Sequence, residues 1–453
     1  MTYDVLVIGA GPAGSVVARR LAAHGARVAL VGAAARGGCE GLSARSRALL
    51  VEEGLDELDL DAPALELSAG MRGPFARRGV WAQGRVVEGR EWLVDRRRLA
   101  GALCAHAARA GVDWRADTVV DLGRHDGSWH ARLRAGGTVA ASQMIDARGR
   151  RGAECRGPLL LAVGRAFDLA HAGAPGTHIH AARFGWCWWA VGERGVWVQV
   201  VARPRSGGRM HPDTWIAAAA AEIPPLAGVL AGAAPGAAAV ARPAHARLGR
   251  QSVDVTRWAV GDAALALDPL SGQGVYEALR GARLVATAVH SVSSGGDAAL
   301  AHRFVAERQA DAWARGVALA AGFYRDNAGL GDFWASTAAA YEASLPEPLP
   351  AAPHFERRPV MLDGCILERD VIVTADHPRG VWHVAGVPLK KLSDYLAAAE
   401  HGSVHGAAAV LDRPPAAVAS ALRWLRQTGM VPGSARPRTS GGSIRVDRLP
   451  SEH

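Results

Sequence analysis

The feature that most constrains this chain is a glycine-rich turn near its start, Gly9-Ala10-Gly11-Pro12-Ala13-Gly14. An apolar run at residues 5–8 precedes the turn, and a helical pattern follows it to residue 23. In a strand–turn–helix unit the first glycine permits the tight turn, the second lets a phosphate approach the backbone, and the third allows close helix–strand packing. The helix N-terminus then offers unpaired N–H groups to the phosphates. We therefore predict a dinucleotide site formed by Gly9, Gly11, Pro12, Ala13 and Gly14.

One element of the usual dinucleotide-binding unit is missing. Residues 27–31 predict a second strand at the spacing of a βαβ unit. An acidic residue normally binds the adenosine ribose at the end of this strand, but Gly32 stands there. The sequence leaves open whether water or a backbone group makes the ribose contact.

Three further motifs follow in order. Residues 94–99 contain Arg96 at the entry to a predicted helix, and residues 145–150 read Ile-Asp-Ala-Arg-Gly-Arg. The pair Gly261-Asp262 then ends a predicted strand and leads into residues 268–274, Asp-Pro-Leu-Ser-Gly-Gln-Gly, which open another helix.

Together the four motifs resemble those of the FAD-dependent superfamily that includes p-hydroxybenzoate hydroxylase, the tryptophan halogenases and the geranylgeranyl reductases. The resemblance covers residues 3–340 and implies bound FAD, with Asp262 on the ribityl chain and the backbone of residues 268–274 against the flavin ring. It also implies that the segment after the second strand contacts the flavin edge. The cofactor-binding candidates that it adds are Glu40, Arg45, Arg96, Asp146, Gly149, Gly261, Asp262, Pro269, Gly272, Gln273 and Gly274.

The resemblance and the residue patterning predict an α/β fold. We expect a Rossmann-like FAD-binding domain of the glutathione-reductase type, an inserted, mainly antiparallel β-sheet domain for the substrate, and a helical C-terminal unit. The predicted ranges are 1–154 and 251–345 for the FAD-binding domain, 155–250 for the substrate domain, 361–431 for the C-terminal unit and 433–453 for a disordered tail.

Composition excludes several classes of function. No apolar run approaches the roughly 20 residues that a membrane span needs, and the N-terminus leads directly into a strand, so we expect a cytoplasmic protein without integral membrane contact. Five cysteines without a Cys-x-x-Cys pair predict neither a disulfide framework nor a metal site. The net charge is +9, but the arginines are spread along the chain, so we expect no nucleic-acid partner. The oligomeric state stays open.

A tryptophan-rich segment at residues 184–189, Phe-Gly-Trp-Cys-Trp-Trp, is the strongest candidate for the substrate site. On a strand, Trp186 and Trp188 face one side while Cys187 and Trp189 face the other. The Gly-Trp-x-Trp core resembles a stretch of the tryptophan halogenases and their hydroxylating relatives. Two indoles above a flavin would form an apolar wall for a flat aromatic substrate, whereas the alternative is ordinary core packing.

Two histidines lie on the strand that enters this segment. His178 and His180 point to the same side, and a neutral imidazole there would serve as a general base or orient the substrate. The alternative is a purely structural pair. With Trp186 and Trp188 they complete the predicted catalytic set.

The positions of the lysines argue against one of the reactions of this superfamily, halogenation. Halogenases of this superfamily need a lysine in the first third of the chain, whereas the only lysines here are Lys390 and Lys391. We therefore expect a monooxygenase, reduced by NADH or NADPH, whose flavin hydroperoxide delivers oxygen to an electron-rich ring. The same motifs resemble those of flavoproteins that hydroxylate a peptidyl tryptophan in tryptophylquinone biogenesis.

Several alternatives stay open. The substrate is either an aromatic small molecule or a tryptophan-containing peptide or protein. A geranylgeranyl-reductase-like saturase, a halogenase relative without the lysine, and a non-enzymatic docking protein are the rival functions. Residues 361–431 resemble the winged-helix peptide-binding modules of enzymes that modify ribosomal peptides, and the alternative for them is a helical cap.

Overall fold

The computed structural model describes residues 2–33, 38–55, 75–150, 157–170, 176–192, 195–204, 211–250, 252–346, 352–399 and 403–431. The chain forms two compact units. The first contains Met1–Glu347 together with Pro359–Leu367, and the second contains Pro348–Arg358 together with Glu368–His453. The predicted tail at residues 433–453 lies outside the described residues.

The first unit mixes strands and helices, as predicted. Its strands are β1 (Thr2–Ile8), β2 (Val28–Val31), β3 (Cys39–Leu42), β4 (Phe75–Val80), β5 (Val86–Asp95), β6 (Asp113–Arg115), β7 (Val119–His125), β8 (Ser128–Leu133), β9 (Thr138–Asp146), β10 (Leu161–Asp168), β11 (Gly176–Ala182), β12 (Gly185–Val191), β13 (Gly195–Ala202), β14 (Ala234–Pro235), β15 (Val240–Pro243), β16 (Arg247–Leu248), β17 (Arg257–Ala259) and β18 (Leu265–Ala266). Its helices are α1 (Pro12–Ala23), α2 (Ala44–Glu52), α3 (Arg96–Arg109), α4 (Pro212–Glu222), α5 (Pro224–Leu230), α6 (Gly274–Ser293), α7 (Ala298–Asp326) and α8 (Asp332–Glu342).

The first sheet carries the glycine-rich turn. Its strand order is β6-β2-β1-β9-β8-β7, with β17 paired to β9. Strand β1 runs parallel to both β2 and β9. Residues 5–8 and all of β2 are buried, which is typical of parallel strands covered on both faces. The turn after β1 therefore lies at the carboxyl edge of the sheet, where such folds bind their ligands.

Helices α1, α3, α6 and part of α7 share one hydrophobic core with this sheet. In α6 the buried residues Ala282, Val285, Ala286 and Val289 recur at helical spacing, so one stripe of the helix faces the core. Ile366, much later in the chain, joins the same core and donates its N–H to Ser291 Oγ at 3.0 Å.

The second sheet is mainly antiparallel and has two covered faces. Its strand order is β14-β10-β13-β12-β11-β4-β5-β3, with β15 paired to β10. Side chains of one face, including Trp186 and Val201, pack with residues of α7 and α8. Those of the other face, including Trp189 and Val200, pack with residues of α4 and α5. Strands β3, β4 and β5 also belong to this sheet, so residues well before the predicted boundary at 155 contribute to it.

The second unit is largely helical. Strands β19 (His354–Leu362) and β20 (Cys365–Val373) pair with each other, and the residues around their turn group with the first unit. Within the second unit, β21 (His383–Val384) pairs with β22 (Val387–Pro388), and three helices follow. These are α9 (Leu389–Ala398), α10 (Val404–Leu411) and α11 (Pro415–Thr428).

Helix α11 shows why the chain folds this way locally. A proline stands at its first position, where its missing N–H is no loss, and Gly429 ends it in the left-handed conformation. Its buried residues Val418, Ala421, Leu422 and Leu425 lie at helical spacing and form the core of the second unit with α9 and α10. None of the helices in the described ranges is sufficiently long and apolar to cross a membrane.

Candidate active site

Two glycines of the turn between β1 and α1 stand where no side chain would fit. Gly9 has a φ of +118°, and a Cβ there would lie 2.2 Å from the Ala147 carbonyl oxygen. A Cβ at Gly14 would lie 1.9 Å from the Gly9 carbonyl oxygen. Gly11 differs, because a Cβ there would meet nothing within 4 Å. Two glycines therefore form the turn, and the third leaves open space above the helix N-terminus.

The end of β2 explains the missing ribose ligand. A Cβ at Gly32 would lie 2.3 Å from the Ala10 backbone nitrogen and 2.7 Å from its Cβ. The close approach of residue 32 to the turn after β1 thus leaves no room for an acidic side chain at this position. The usual ribose contact through residue 32 is sterically excluded.

The Gly261-Asp262 pair lies in direct contact with the glycine-rich turn. Gly261 has a φ of +60°, and a Cβ there would lie 2.8 Å from the Ala13 Cβ in the first turn of α1. The next residue, Asp262, accepts a hydrogen bond from Arg150 Nε at 3.0 Å, and its side chain stays partly exposed. The two motifs, far apart in sequence, therefore share one site.

Arg96 and Glu40 form an ion pair beside this junction. Arg96 is the first residue of α3, and Glu40 lies on β3, which pairs with the end of β5. The pKa of Arg96 is raised mainly by Glu40 and to a smaller extent by the charge of Asp262. Three of the predicted cofactor residues are thus close together.

The loop at residues 268–274 leads into α6. Pro269 begins a short 3-10 turn, Gly272 ends it with a φ of +62°, and Gln273 precedes Gly274, the first residue of α6. A Cβ at Gly272 or Gly274 would meet nothing within 4 Å, and no side chain of the described residues caps α6. Like Gly11, these glycines border open space at a helix N-terminus.

The first residue of that loop, Asp268, is held in a buried hydrogen-bond network. Tyr341 and Tyr324 donate their hydroxyls to Asp268 Oδ2 at 2.6 and 3.1 Å, and Leu270 donates its N–H to Oδ1 at 2.9 Å. Burial raises the pKa of the Asp268 carboxyl, and these hydrogen bonds oppose the rise. Trp186 in turn donates its indole N–H to the Tyr324 hydroxyl at 3.2 Å. The loop and the tryptophan-rich strand are therefore rigidly connected.

Three other predicted cofactor residues occupy different surroundings. Asp146, at the end of β9, accepts hydrogen bonds from Arg148 Nε and Nη2 at 2.9 and 2.6 Å, so its carboxylate is already neutralised. Gly149 has a φ of +76° and open space at its Cβ position. Arg45 donates to the Tyr276 hydroxyl at 3.0 Å and lies over that ring, which bridges α2 to the first turn of α6.

These residues fit FAD. A pyrophosphate needs unpaired N–H groups, and α1 begins at Gly11 with no side-chain cap among the described residues and with free space above it. An isoalloxazine ring needs a flat backbone surface, which the open glycines Gly272 and Gly274 offer. Asp262, next to the glycine that contacts α1, and Arg96 carry the polar groups that a ribityl chain requires.

The tryptophan-rich strand β12 alternates as predicted. Trp186 and Trp188 belong to the face that packs with α7 and α8, whereas Cys187 and Trp189 belong to the other face. Trp186 is only 2% exposed and is fixed by its hydrogen bond to Tyr324. Trp188 keeps accessible surface. Of the predicted pair, Trp188 is therefore the one that can contact a substrate, and Trp186 supports it.

His178 and His180 lie on the face of the sheet opposite to Trp186 and Trp188, so these four residues do not form one site. The antiparallel register pairs His178 with Trp189 and His180 with Cys187, and directly paired residues point to the same face. His178 stacks on the Trp189 ring at 4.9 Å between centroids. The sheet thus separates both imidazoles from Trp186, Trp188 and Asp268, so they do not share a site with these residues, and a catalytic role for them stays a prediction.

The half-buried histidines predict a measurable pH dependence of stability. Burial, then His178 and Arg78, lower the pKa of His180 to about 4 from 6.5. Between these values the unfolded chain binds more protons, so stability is lost as the pH falls from 6.5 towards 4. We expect His180→Gln to flatten the decline of the thermal unfolding midpoint over this range, with part of the slope left because the pKa of His178 is also lowered. The exposed His405→Gln is the control, and an unchanged slope in His180→Gln would contradict the assignment.

Two residues beside Trp188 were absent from the sequence-based prediction. Glu91 on β5 is 7% exposed and accepts the Trp188 indole N–H at 3.4 Å. Trp197 on β13 packs with Trp188 against a small cluster formed by Cys39, Leu93 and Ala190. Both positions depend on strand pairing across long sequence separations. The period-two pattern of β13 indicated a buried face but did not show what that face meets.

Comparisons with known proteins show what the chain as a whole is similar to. No family model matches the chain. The solved structure of the peptidyl tryptophan dihydroxylase QhpG, essential for tryptophylquinone cofactor biogenesis, is similar with a TM-score of 0.80 and 29% identity, over 95% of this chain and 100% of that one. The myxobacterial chondrochloren halogenase CndH, a variant of the FAD-dependent halogenases, has a TM-score of 0.63 and 21% identity over 74% of this chain and 86% of its own, which shows the shared fold.

One curated relative matches part of the chain. Digeranylgeranylglycerophospholipid reductase 1 of Methanopyrus kandleri is 33% identical over 159 residues. The match spans 33% of this chain and 41% of the reductase, well under half of that enzyme's length.

Proposed function

We propose that this chain, an FAD-dependent monooxygenase of the superfamily of p-hydroxybenzoate hydroxylase and the tryptophan halogenases, hydroxylates the indole ring of a tryptophan held in a peptide or protein. NADH or NADPH is the proposed reductant. The observation that carries the proposal is the position of Trp188, whose indole keeps accessible surface. Trp186 on the same sheet face is linked to the loop beginning at Asp268, because it donates to Tyr324, which donates to Asp268. Similarity to the peptidyl tryptophan dihydroxylase over nearly the whole chain supports it.

The residues proposed to hold FAD are those that meet at the two helix N-termini. Gly11 and the first turn of α1 would bind the pyrophosphate, Asp262 and Arg96 the ribityl region, and the backbone of residues 269–274 the ring. When bound, FAD supplies the oxygen-activating redox chemistry. We propose no cofactor contact for the Asp146 carboxylate, because Arg148 already occupies it.

The protein's own contribution is orientation and exclusion of water. Trp188 and Trp197 present apolar ring surface beside β3, the strand proposed to lie at the flavin edge. An aromatic ring packed against such a wall is held in one plane. Asp268 and its two tyrosines fix the loop and the wall relative to each other, so the reacting ring meets a rigid surface.

Turnover of peptide rather than free tryptophan is the test of this function. With purified holoenzyme, NADH or NADPH and oxygen, we expect a short tryptophan-containing peptide with acidic flanks to gain the mass of one or two oxygen atoms. Free tryptophan should react poorly, because remote binding energy that positions the ring is missing. Mass spectrometry and an oxygen electrode measure both. The control is the same peptide with phenylalanine in place of tryptophan, which should stay unmodified.

Three outcomes would contradict the proposal. Efficient turnover of free aromatics would favour an ordinary aromatic hydroxylase. Oxygen-independent reduction of an isoprenoid alkene would favour the saturase, which the partial match to the archaeal reductase supports. A chlorinated or brominated indole, in the presence of chloride or bromide, would overturn the expectation drawn from the absence of a lysine before Lys390.

The second unit is the proposed docking module for the rest of the peptide. It contains an open cleft of about 510 Å³ between α9 and α10, with Lys391, Tyr395, Val410 and Arg413 in its lining. Val410 is 68% exposed, and both lysines of the chain begin α9. Asp394 also lines the cleft but forms an ion pair with Lys390, so Lys391 and Arg413 leave the lining cationic beside its apolar side chains. Such a lining suits an acidic segment that carries apolar side chains.

Charge reversal at this cleft provides a direct check. Lys391→Glu should raise the KM for an acidic peptide about threefold to tenfold, since exposed charge pairs contribute up to about 1 kcal/mol. FAD content and NAD(P)H oxidation without substrate should stay unchanged. Arg369→Glu, an exposed cation of the same unit outside the cleft lining, is the matched control. Equal KM values for both variants would remove the docking role.

A further inference from the structure

The buried carboxylate of Glu91 is unusual for its surroundings. The residue is 7% exposed, and in the described part of the chain no Lys, Arg or His nitrogen forms an ion pair with it. Burying a carboxylate without a cation is costly unless hydrogen-bond donors compensate it. Within the described ranges, its one hydrogen-bond donor is the Trp188 indole N–H at 3.4 Å, a long contact.

The backbone of β3 makes room for this carboxylate. A Cβ at Gly41 would lie 2.1 Å from Glu91 Oε2 and 2.7 Å from its Cδ. Gly41 pairs with Leu93 on β5, and the neighbouring Glu40 forms the ion pair with Arg96 at the proposed FAD site. The carboxylate is therefore held between the accessible indole and the strand proposed for the flavin edge.

The same place contains a buried hydrogen-bond donor, the Trp197 indole N–H, which has no acceptor among the residues that the structure describes. Gly164 leaves the space that the Trp197 ring occupies, since a Cβ there would lie 2.5 Å from that ring. Two indole rings, one unpaired N–H and one carboxylate with unused acceptor capacity thus converge against Cys39, Leu93 and Ala190. Such a set of polar groups on an apolar wall is typical of a binding site.

We propose that Glu91 accepts the N–H of the substrate's indole ring and thereby selects indoles over flat rings that lack this donor. The inference rests on the proposed function and names the specificity-determining residue of that site. A carboxylate offers about four acceptor positions, and Trp188 occupies one of them. Substrates without the N–H would leave the carboxylate uncompensated, which is the basis of strong rejection of isosteres.

The wild-type holoenzyme provides the first test. A short tryptophan-containing peptide with acidic flanks is titrated against the same peptide carrying the benzothiophene analogue of tryptophan, in which sulfur replaces the N–H, and binding is followed by perturbation of the flavin absorbance and by calorimetry. We expect the indole to bind at least about tenfold more tightly, as for a hydrogen bond to a charged group. Equal affinities would overturn the proposal about Glu91 and leave the proposed function standing. If neither compound binds, the proposed function fails and this inference fails with it.

Two variants locate the effect. Glu91→Ala should reduce the preference for the indole to within about twofold. Gly41→Ala should do the same by displacing the carboxylate, and it keeps the fold because the added methyl group meets only the end of a flexible side chain. Glu88→Ala, an exposed carboxylate on the same strand, is the matched control and should keep the full preference. Retention of the preference in either test variant would overturn the proposal.

Discussion

Gly14→Ala is expected to prevent formation of the FAD-binding fold, whereas Gly11→Ala is expected to fold and to bind FAD weakly. The Gly14 methyl group would lie 1.9 Å from the Gly9 carbonyl oxygen, a backbone atom that cannot move without opening the turn. Overpacking of this kind costs about 3 kcal/mol or more. The Gly11 methyl group would enter open space in the protein, and that space is proposed for the pyrophosphate.

The pair is measured by the yield of folded protein, the thermal unfolding midpoint without cofactor, and the flavin-to-protein absorbance ratio. Gly25→Ala is not a suitable control, because its φ of +86° adds backbone strain of its own. Gly101→Ala is suitable, because it lies within α3 and a methyl group there meets nothing within 4 Å. Normal FAD content in Gly11→Ala would show that the phosphates bind elsewhere.

Asp262→Ala is expected to release most of the flavin from an otherwise folded protein. A hydrogen bond to a charged group contributes about 1.5–3 kcal/mol, or roughly tenfold to a hundredfold in affinity. The variant also leaves Arg150 Nε without its carboxylate partner beside the site. The flavin dissociation constant, from fluorescence recovery on release, measures the effect. None of the four motifs contains a His or Cys, so we expect non-covalent FAD and release without bond cleavage.

The control for this variant is Asp121→Ala, which removes an exposed aspartate whose nearest arginine nitrogen is 3.8 Å away. Both variants should unfold at similar temperatures once the FAD contribution is removed by measuring the apoproteins. Full retention of flavin in Asp262→Ala would sink the assignment of this residue to the ribityl chain.

Local sequence was sufficient for the parts of the site that depend on backbone geometry. The glycines at positions 9, 14, 261 and 272 each adopt a conformation or a close approach that only glycine permits, so the residue type itself marks the place. The two faces of β12 could likewise be predicted, because the pleat fixes the alternation of side chains. Both inferences need only neighbours along the chain.

Strand register was beyond the reach of the sequence, and the histidines show why. His178 and His180 point to the same face of the sheet, as predicted. Whether this is the face of Trp188 or the face of Trp189 depends on which of the two residues His178 pairs with. A shift of one residue exchanges the two faces, and the observed pairing with Trp189 places them away from the site. No residue in the turn between the strands indicated that register.

Glu91 and Gly32 illustrate the same limit for packing. Glu91 reads as one of several polar residues along β5, and its burial arises only because β3 and β12 approach it from two sides. Gly32 was recognised as a departure from the usual acidic residue, but its cause, contact with Ala10, appears only when β2 and the turn after β1 are placed side by side.

The position of Ile366 has a consequence for synthesis of the chain. This residue fills the core shared by α1, α3 and α6 and anchors to Ser291 by its backbone. During translation, which delivers the N-terminus first, that core is not complete until the nascent chain has passed this residue. The core of the proposed FAD-binding region therefore needs a segment that is synthesised after α8. We expect FAD to bind late in translation or after it.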